Sequence, residues 1–280
     1  MSETNFQQWV GRRESVEADL NAFHIAAMSA TLDQDHCAAE GSPLPPGWQW
    51  LFFNPAVRRS ELGADGHPAR GGFLPPVELP RRMWAGSRLR YLESLPVGAR
   101  AERSSQILSV VNKTGKRGAL CFVTVEHTIR CGGVDCIVEE QDIVYKEATP
   151  PGTPAPAPER FEAEASWRQR VDPDTTLLFR FSALTFNGHR IHYDLNYARD
   201  VEGYPGLVVH GPLTAILLQG FACSQAGNRP LLAFDFKGVN PLFVNSPFDL
   251  EGRWESPDVM DLWARGPAGE LAMKATARFR

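Results

Sequence analysis

The 280-residue sequence has no apolar run that approaches membrane-spanning length, which argues against a helical membrane protein. Its first twenty residues, MSETNFQQWVGRRESVEADL, lack the apolar stretch of a secretory signal, so a cytoplasmic protein is expected. Basic runs are missing too, and the net charge is −4, so no nucleic-acid partner is expected. Cysteine is sparse: five residues, an odd number, irregularly spaced at Cys37, Cys121, Cys131, Cys136 and Cys223. No second Cys/His pair at zinc spacing accompanies Cys131 and Cys136, and Gly132-Gly133 between them reads as a hairpin turn. What remains is a soluble globular composition, 43% hydrophobic and 22% charged.

Proline and glycine are plentiful but unevenly placed. Helical periodicity runs from about Val10 to Asp35. From Cys37 to Pro80 the chain is rich in Pro, Gly and aromatics (Trp48, Trp50, Phe52, Phe53, Phe73) and lacks sustained periodicity, as in a lid or binding surface. Four β-rich runs follow between Met83 and Lys146, separated by turn signals, and predict an antiparallel meander. The proline-dense stretch 149–159 reads as a semi-rigid linker between a domain at 1–148 and a second at 160–280. In the second half, residues 161–185 read as a strand pair or a long bent strand. An apolar helix is expected from His210 to Ala226, ended by Gly227, then four more strands with turns at Gly238, Gly252/Ser256 and Gly266-Pro267. The predicted class is α+β, two halves each pairing a helix with an antiparallel sheet.

One turn carries too much chemistry to be only a turn. Phe179 to Asp194, FRFSALTFNGHRIHYD, holds His189, Arg190, His192, Asn187 and Asp194, where a simple reversal would use Gly, Asn, Asp or Pro. Leu207-Val-Val-His-Gly-Pro-Leu213 opens the apolar helix soon after. The spacing of His189, His192 and Asp194 is weak support for a metal, and none is expected.

The run Thr185-Phe-Asn-Gly-His-Arg-Ile-His192 with Val208-Val-His-Gly211 resembles the MaoC-like, (R)-specific enoyl-CoA hydratase family. That family's motif has the form S/T-G-D-x-N-P-hydrophobic-H, followed by hydrophobic-H-G at a helix start. His192 and Gly211 match it. Asn187 stands where the family has its catalytic aspartate, and His189-Arg190 where it has Asn-Pro. GWQWLFFNP, LGADGHPARGGFLPP, PRRMWAG and QDIVY are similar to one branch, the double hot-dog proteins of the type 2 hydroxyacyl-thioester dehydratase and mesaconyl-CoA hydratase kind.

The resemblance implies a tandem hot-dog, each half a long central helix wrapped by an antiparallel sheet, with a degenerate first half and a catalytic second half. It implies reversible hydration of an α,β-unsaturated acyl-CoA, short and branched or dicarboxylic, of the mesaconyl-C4-CoA to citramalyl-CoA type. A hot-dog thioesterase and a non-catalytic acyl-CoA or acyl-carrier binding module are the alternatives. No cofactor is expected beyond the CoA of the substrate, no membrane partner is expected, and a homodimer is allowed. His192 is the acid/base candidate, because imidazole titrates near neutral pH. Asn187 holds the water, and Gly211 supplies the oxyanion contact at the helix start. If the aspartate is replaced, either His192 makes both proton transfers or His189, Asp194 or Tyr193 makes one. His189, Tyr193, His210, Arg190, Arg81 and Arg82 are the substrate-binding candidates, the arginines for a carboxylate or a CoA phosphate.

Overall fold

The computed structural model describes residues 6–36, 38–115, 118–148 and 160–280. The proposed linker, 149–159, and Cys37 lie outside the described residues.

Ten strands form one antiparallel sheet. In chain order they are β1 (Arg13–Asp19), β2 (Arg81–Tyr91), β3 (Arg100–Gly115), β4 (Gly118–Cys131), β5 (Val134–Lys146), β6 (Trp167–Val171), β7 (Leu231–Gly238), β8 (Phe248–Ser256), β9 (Val259–Arg265) and β10 (Leu271–Phe279). Their spatial order is β1-β3-β4-β5-β2-β7-β10-β9-β8-β6, so the two halves meet where β2 pairs with β7. Gly86 sits at that seam beside a β-bulge, and a Cβ there would overlap the Phe236 carbonyl oxygen. The four expected strands of the first half all form, and Gly132-Gly133 turns β4 into β5. They are not a simple meander, because β2 lies beyond β5 and β1 takes the place beside β3.

Among the described residues three α-helices accompany the sheet: α1 (Ala22–Thr31), α2 (Thr175–Leu184) and α3 (Gly211–Ala226). Two of them correct the sequence reading. Residues 13–19 are a strand rather than the start of a long helix; their exposure alternates along the chain, and they pair with β3 from Arg13↔Gln106 to Asp19↔Arg100. The helix begins only after Asn21, whose side chain accepts from the His24 N–H. The first-half helix is therefore ten residues, not a long one. The expected strand pair at 161–185 resolves into β6 and then α2. Asp174 caps α2 through the Leu177 N–H at 2.7 Å, and Leu178 and Phe181, one turn apart, are its buried residues. Gly252 is also not a turn; it lies within β8, paired with Leu262.

Helix α3 buries residues on every side, from Leu213 through Ala226. It belongs to a core that runs continuously through both halves, from Leu20, Leu89 and Ile137 to Leu218, Phe234 and Leu262. Burial of this kind contributes about 25 cal/mol per Å2 of apolar surface. Trp48, Phe52 and Phe53 of the long aromatic loop are part of that core, so these rings fill rather than roof a cavity.

Candidate active site

Helix α2 delivers the histidine-rich turn. The chain leaves the helix at Leu184, passes Phe186 at positive φ, and is tied back by the Asn187 N–H to the Ser182 carbonyl at 2.8 Å. Asn187 then accepts the His189 N–H with its side-chain oxygen at 2.9 Å, an Asx turn that aims the following residues. Arg190–His192 form a single 3-10 turn. Segment 207–209 meets this turn through the Val208 N–H to the Ile191 carbonyl and enters α3 at His210.

His192 is buried, and its Nδ1 stands 2.7 Å from the Val208 carbonyl oxygen. A carbonyl can only accept, so Nδ1 carries the proton and Nε2 keeps its lone pair. Burial holds its pKa down to about 3, against the Val208 hydrogen bond, and the neighbouring His189 and His67 press the same way. His192 is thus a neutral base at physiological pH. Its ring stacks on His210 at 3.6 Å between centroids. His210 is fully buried; its Nε2 meets the Ser182 hydroxyl at 2.8 Å, and burial drives its pKa well below the ordinary value. Its Nδ1 is buried without a hydrogen-bond partner.

The row of rings continues in the other direction. His189 lies 5.4 Å from His192 and 4.2 Å from His67, a residue of the long loop in the first half. Burial lowers the His189 pKa to about 3, with the charge of His67 next in effect. His67 Nδ1 lies 3.1 Å from an Asp65 carboxylate oxygen, and the other oxygen accepts the His67 N–H at 3.0 Å. Burial alone would raise the Asp65 carboxyl, but the hydrogen bonds and charge of His67 outweigh it and hold it well below the carboxylate range. His67 itself is lowered by burial, with Asp65 pulling it upward. Asp65, His67 and His189 each offer a ligand-type atom within 4.8 Å of the others, the one such grouping among the described residues.

The remaining candidates divide into free and engaged groups. Gly211 begins α3 with no side-chain cap over the helix end, and a Cβ built on it would find nothing within 4 Å. The N–H groups of this first turn, which Pro212 lacks, have no partner within the helix and stand at the positive end of its dipole. Arg190 is engaged: its guanidinium grips Asp194 at 2.7 Å and the Ala64 carbonyl at 3.1 Å and lies over the Tyr197 ring. Asp194 in turn accepts the Tyr197 N–H, so neither is free for substrate. Arg81 is paired with Glu202 at 3.2 Å, both side chains largely buried. Arg82 lies against Tyr145, and its charge bears on both His67 and His189. The Tyr193 hydroxyl donates to the Gly188 carbonyl at 3.1 Å, and the ring is half exposed. Asp65 and His67 were not among the residues expected from the motif. The signal for them is the Asp-Gly-His turn in GADGHP, inside the aromatic-rich loop.

Comparison with known proteins gives the family and the fold. The family described as hydroxyacyl-thioester dehydratase type 2 matches residues 47–244. A mesaconyl-C(4)-CoA hydratase of Chloroflexus aurantiacus is 48% identical over 283 residues, covering 100% of this chain and 99% of that protein. Among solved structures, HtdX of Mycobacterium tuberculosis superposes with a TM-score of 0.70 at 16% identity, covering 96% of this chain and 100% of that one. Another M. tuberculosis protein, described as a double hot-dog, covers 97% of this chain and 96% of its own at 15% identity and a TM-score of 0.59. At such identities the likeness shows the fold alone, and that fold is a double hot-dog of the α+β class.

Proposed function

Since this chain belongs to the hydroxyacyl-thioester dehydratase type 2 family, we propose that it is a hydro-lyase that reversibly adds water to an α,β-unsaturated acyl-CoA. The substrate on this reading is short, branched and dicarboxylic, of the mesaconyl-C4-CoA type. The observation that carries it is the 48% identity to a mesaconyl-C(4)-CoA hydratase over the full chain.

The site chemistry fits in three respects. The attacking water gives a proton to the lone pair on His192 Nε2 while its oxygen bonds to the β-carbon. The π electrons of the double bond move toward the α-carbon and the thioester oxygen. That oxygen gains charge beside the N–H groups at the start of α3, where Gly211 leaves room for it. The proton then passes to the α-carbon and the site returns to its starting state. No resident cofactor enters the scheme, since CoA arrives with the substrate. Arg82, which lies against Tyr145 and whose charge bears on His67 and His189, is the candidate cation for the second carboxylate of the acyl group. The described cysteines are unpaired thiols, and no helix among the described residues is long and apolar enough to cross a membrane, which suits a reducing cytoplasm.

Incubation with mesaconyl-C4-CoA and crotonyl-CoA tests the reading. Enoyl absorbance should fall with CoA still attached to the product. Release of free thiol would replace hydration by thioester hydrolysis, and no change with either substrate would sink the proposal.

A further inference from the structure

The histidine-rich turn, residues 185–194, has no free carboxylate of its own. Position 187 is Asn, and its side-chain oxygen is taken by the His189 N–H. Asp194 is consumed by Arg190 and the Tyr197 N–H. A carboxylate nevertheless reaches the histidine row, on the loop of the first half. Arg190 holds that loop with its own N–H to the Asp65 carbonyl at 2.9 Å and with its guanidinium on Ala64. Gly66 and Gly188 cross backbone to backbone: a Cβ on Gly188 would lie 2.8 Å from the Gly66 carbonyl oxygen, and a Cβ on Gly66 would overlap the Gly188 carbonyl. Any larger residue at either point would separate the loop from the turn. The contact is therefore built, residue by residue, to present Asp65 and His67 to His189.

We propose that Asp65 and His67 are positioning residues that replace the carboxylate missing at position 187. Asp65 holds His67 in its Nδ1–H form and supplies the negative charge that offsets the proton taken up by the histidine row in each turnover. The proposal rests on the hydratase reading. In the step concerned, an O–H bond of water breaks as the C–O bond forms at the β-carbon. The proton stays on the row while the enolate persists, then bonds to the α-carbon through the enolate electron pair. A buried row of neutral imidazoles accepts a positive charge poorly. The charged groups bearing on His67 are Asp65, Arg82 and Glu202, with His189 beside them. Arg82 opposes the extra proton, Glu202 is tied to Arg81, and Asp65 is the carboxylate bonded directly to the ring.

Asp65→Asn keeps the shape and an oxygen acceptor for Nδ1–H but removes the charge. It should lower kcat on mesaconyl-C4-CoA at least tenfold, with KM within about twofold and the melting temperature nearly unchanged. Asp65→Glu should recover part of the loss, and His67→Gln should behave like Asp65→Asn. Unchanged kcat in Asp65→Asn would overturn the proposal, as would a raised KM at full kcat, which would make the pair a substrate contact. Loss of activity with a chelator, restored by zinc, would also overturn it and make Asp65, His67 and His189 metal ligands. A wild-type protein that hydrates no enoyl-CoA would refute the hydratase reading instead. In that event NMR still tests the pair, because His67 should titrate at lower pH in Asp65→Asn than in the wild type.

Discussion

His192 and Gly211 are the residues whose environment fits most closely what the motif implies, because each depends on local chain geometry. His192 needs only the 3-10 turn and the Val208 carbonyl; Gly211 needs only the start of α3. Both can be probed without disturbing their surroundings. His192 is buried and stacked, so truncation to Ala would leave a cavity. His192→Asn places an amide N–H where Nδ1 donates to Val208 and removes Nε2. It should lower kcat by about 10²–10⁴-fold while circular dichroism and melting stay near wild type; retained turnover would remove Nε2 from the mechanism. Gly211→Ala meets no protein atom within 4 Å, so the fold should accept it. If the thioester oxygen packs there, the methyl group should raise KM or lower kcat by tenfold or more, whereas wild-type kinetics would place the oxyanion elsewhere. Asp65 and His67 escaped the motif for a physical reason. More than a hundred residues separate them from His189, and only the folded sheet brings the two segments together. Arg190 looked like a substrate cation because a sequence does not show that Asp194 and Ala64 occupy its guanidinium.

At the level of elements, what was legible followed from strong period and punctuation. The buried helix α3 and strands β3, β4 and β5 lie close to their expected bounds, because apolar runs and glycine turns mark them. The misreadings at residues 13–19 and 175–184 share a cause: a short element whose type is decided by a cap or by a partner strand. Residues 13–19 form a seven-residue ladder with β3, with alternate residues on opposite faces, and that backbone pairing selects a strand. Residues 175–184 are apolar enough for a strand, but the Asp174 cap selects a helix. The loop 63–69 is an element of the same kind, ordered by what it touches. Gly66 has φ of +87° and no room for a side chain against Gly188. Gly66→Ala should therefore cost about 1–3 kcal/mol of local strain and pull His67 away from His189. Activity should fall by more than tenfold. The melting temperature should move by only a few degrees, because the residue stands outside the apolar core. Full activity in a stably folded Gly66→Ala protein would mean that the crossing is not needed for the site.

Across the whole molecule burial opposes the protonation of several histidines, and this has a consequence for its stability. His127, His189 and His192 are each held down to about 3, His67 is lowered, and His210 lies well below its ordinary value, burial being the first cause in every case. In the unfolded chain these groups titrate near 6.5. Between that value and about 3 the unfolded chain binds more protons than the folded one, so stability must fall as the pH falls. Each of the three held to about 3 contributes up to about 1.4 kcal/mol per pH unit across that window, and His67 and His210 add in the same direction. Asp65, whose carboxyl is depressed by His67, extends the loss below about pH 4. Total stability of a domain is about 5–15 kcal/mol, so a few histidines acting together suffice to unfold it. The melting temperature should therefore change little between pH 7 and 8, fall steeply between pH 6 and 4, and reach acid unfolding above pH 3. Calorimetry across that range checks it. His127 gives a control remote from the turn, since it bonds Ser105 and Gln141 between strands β3, β4 and β5. His127→Gln should flatten the slope by about one histidine's share and leave turnover unaltered. A melting temperature constant from pH 7 to 4 would mean that these rings take up protons in the folded protein as readily as in the unfolded chain, so that burial does not hold His192 below its ordinary range.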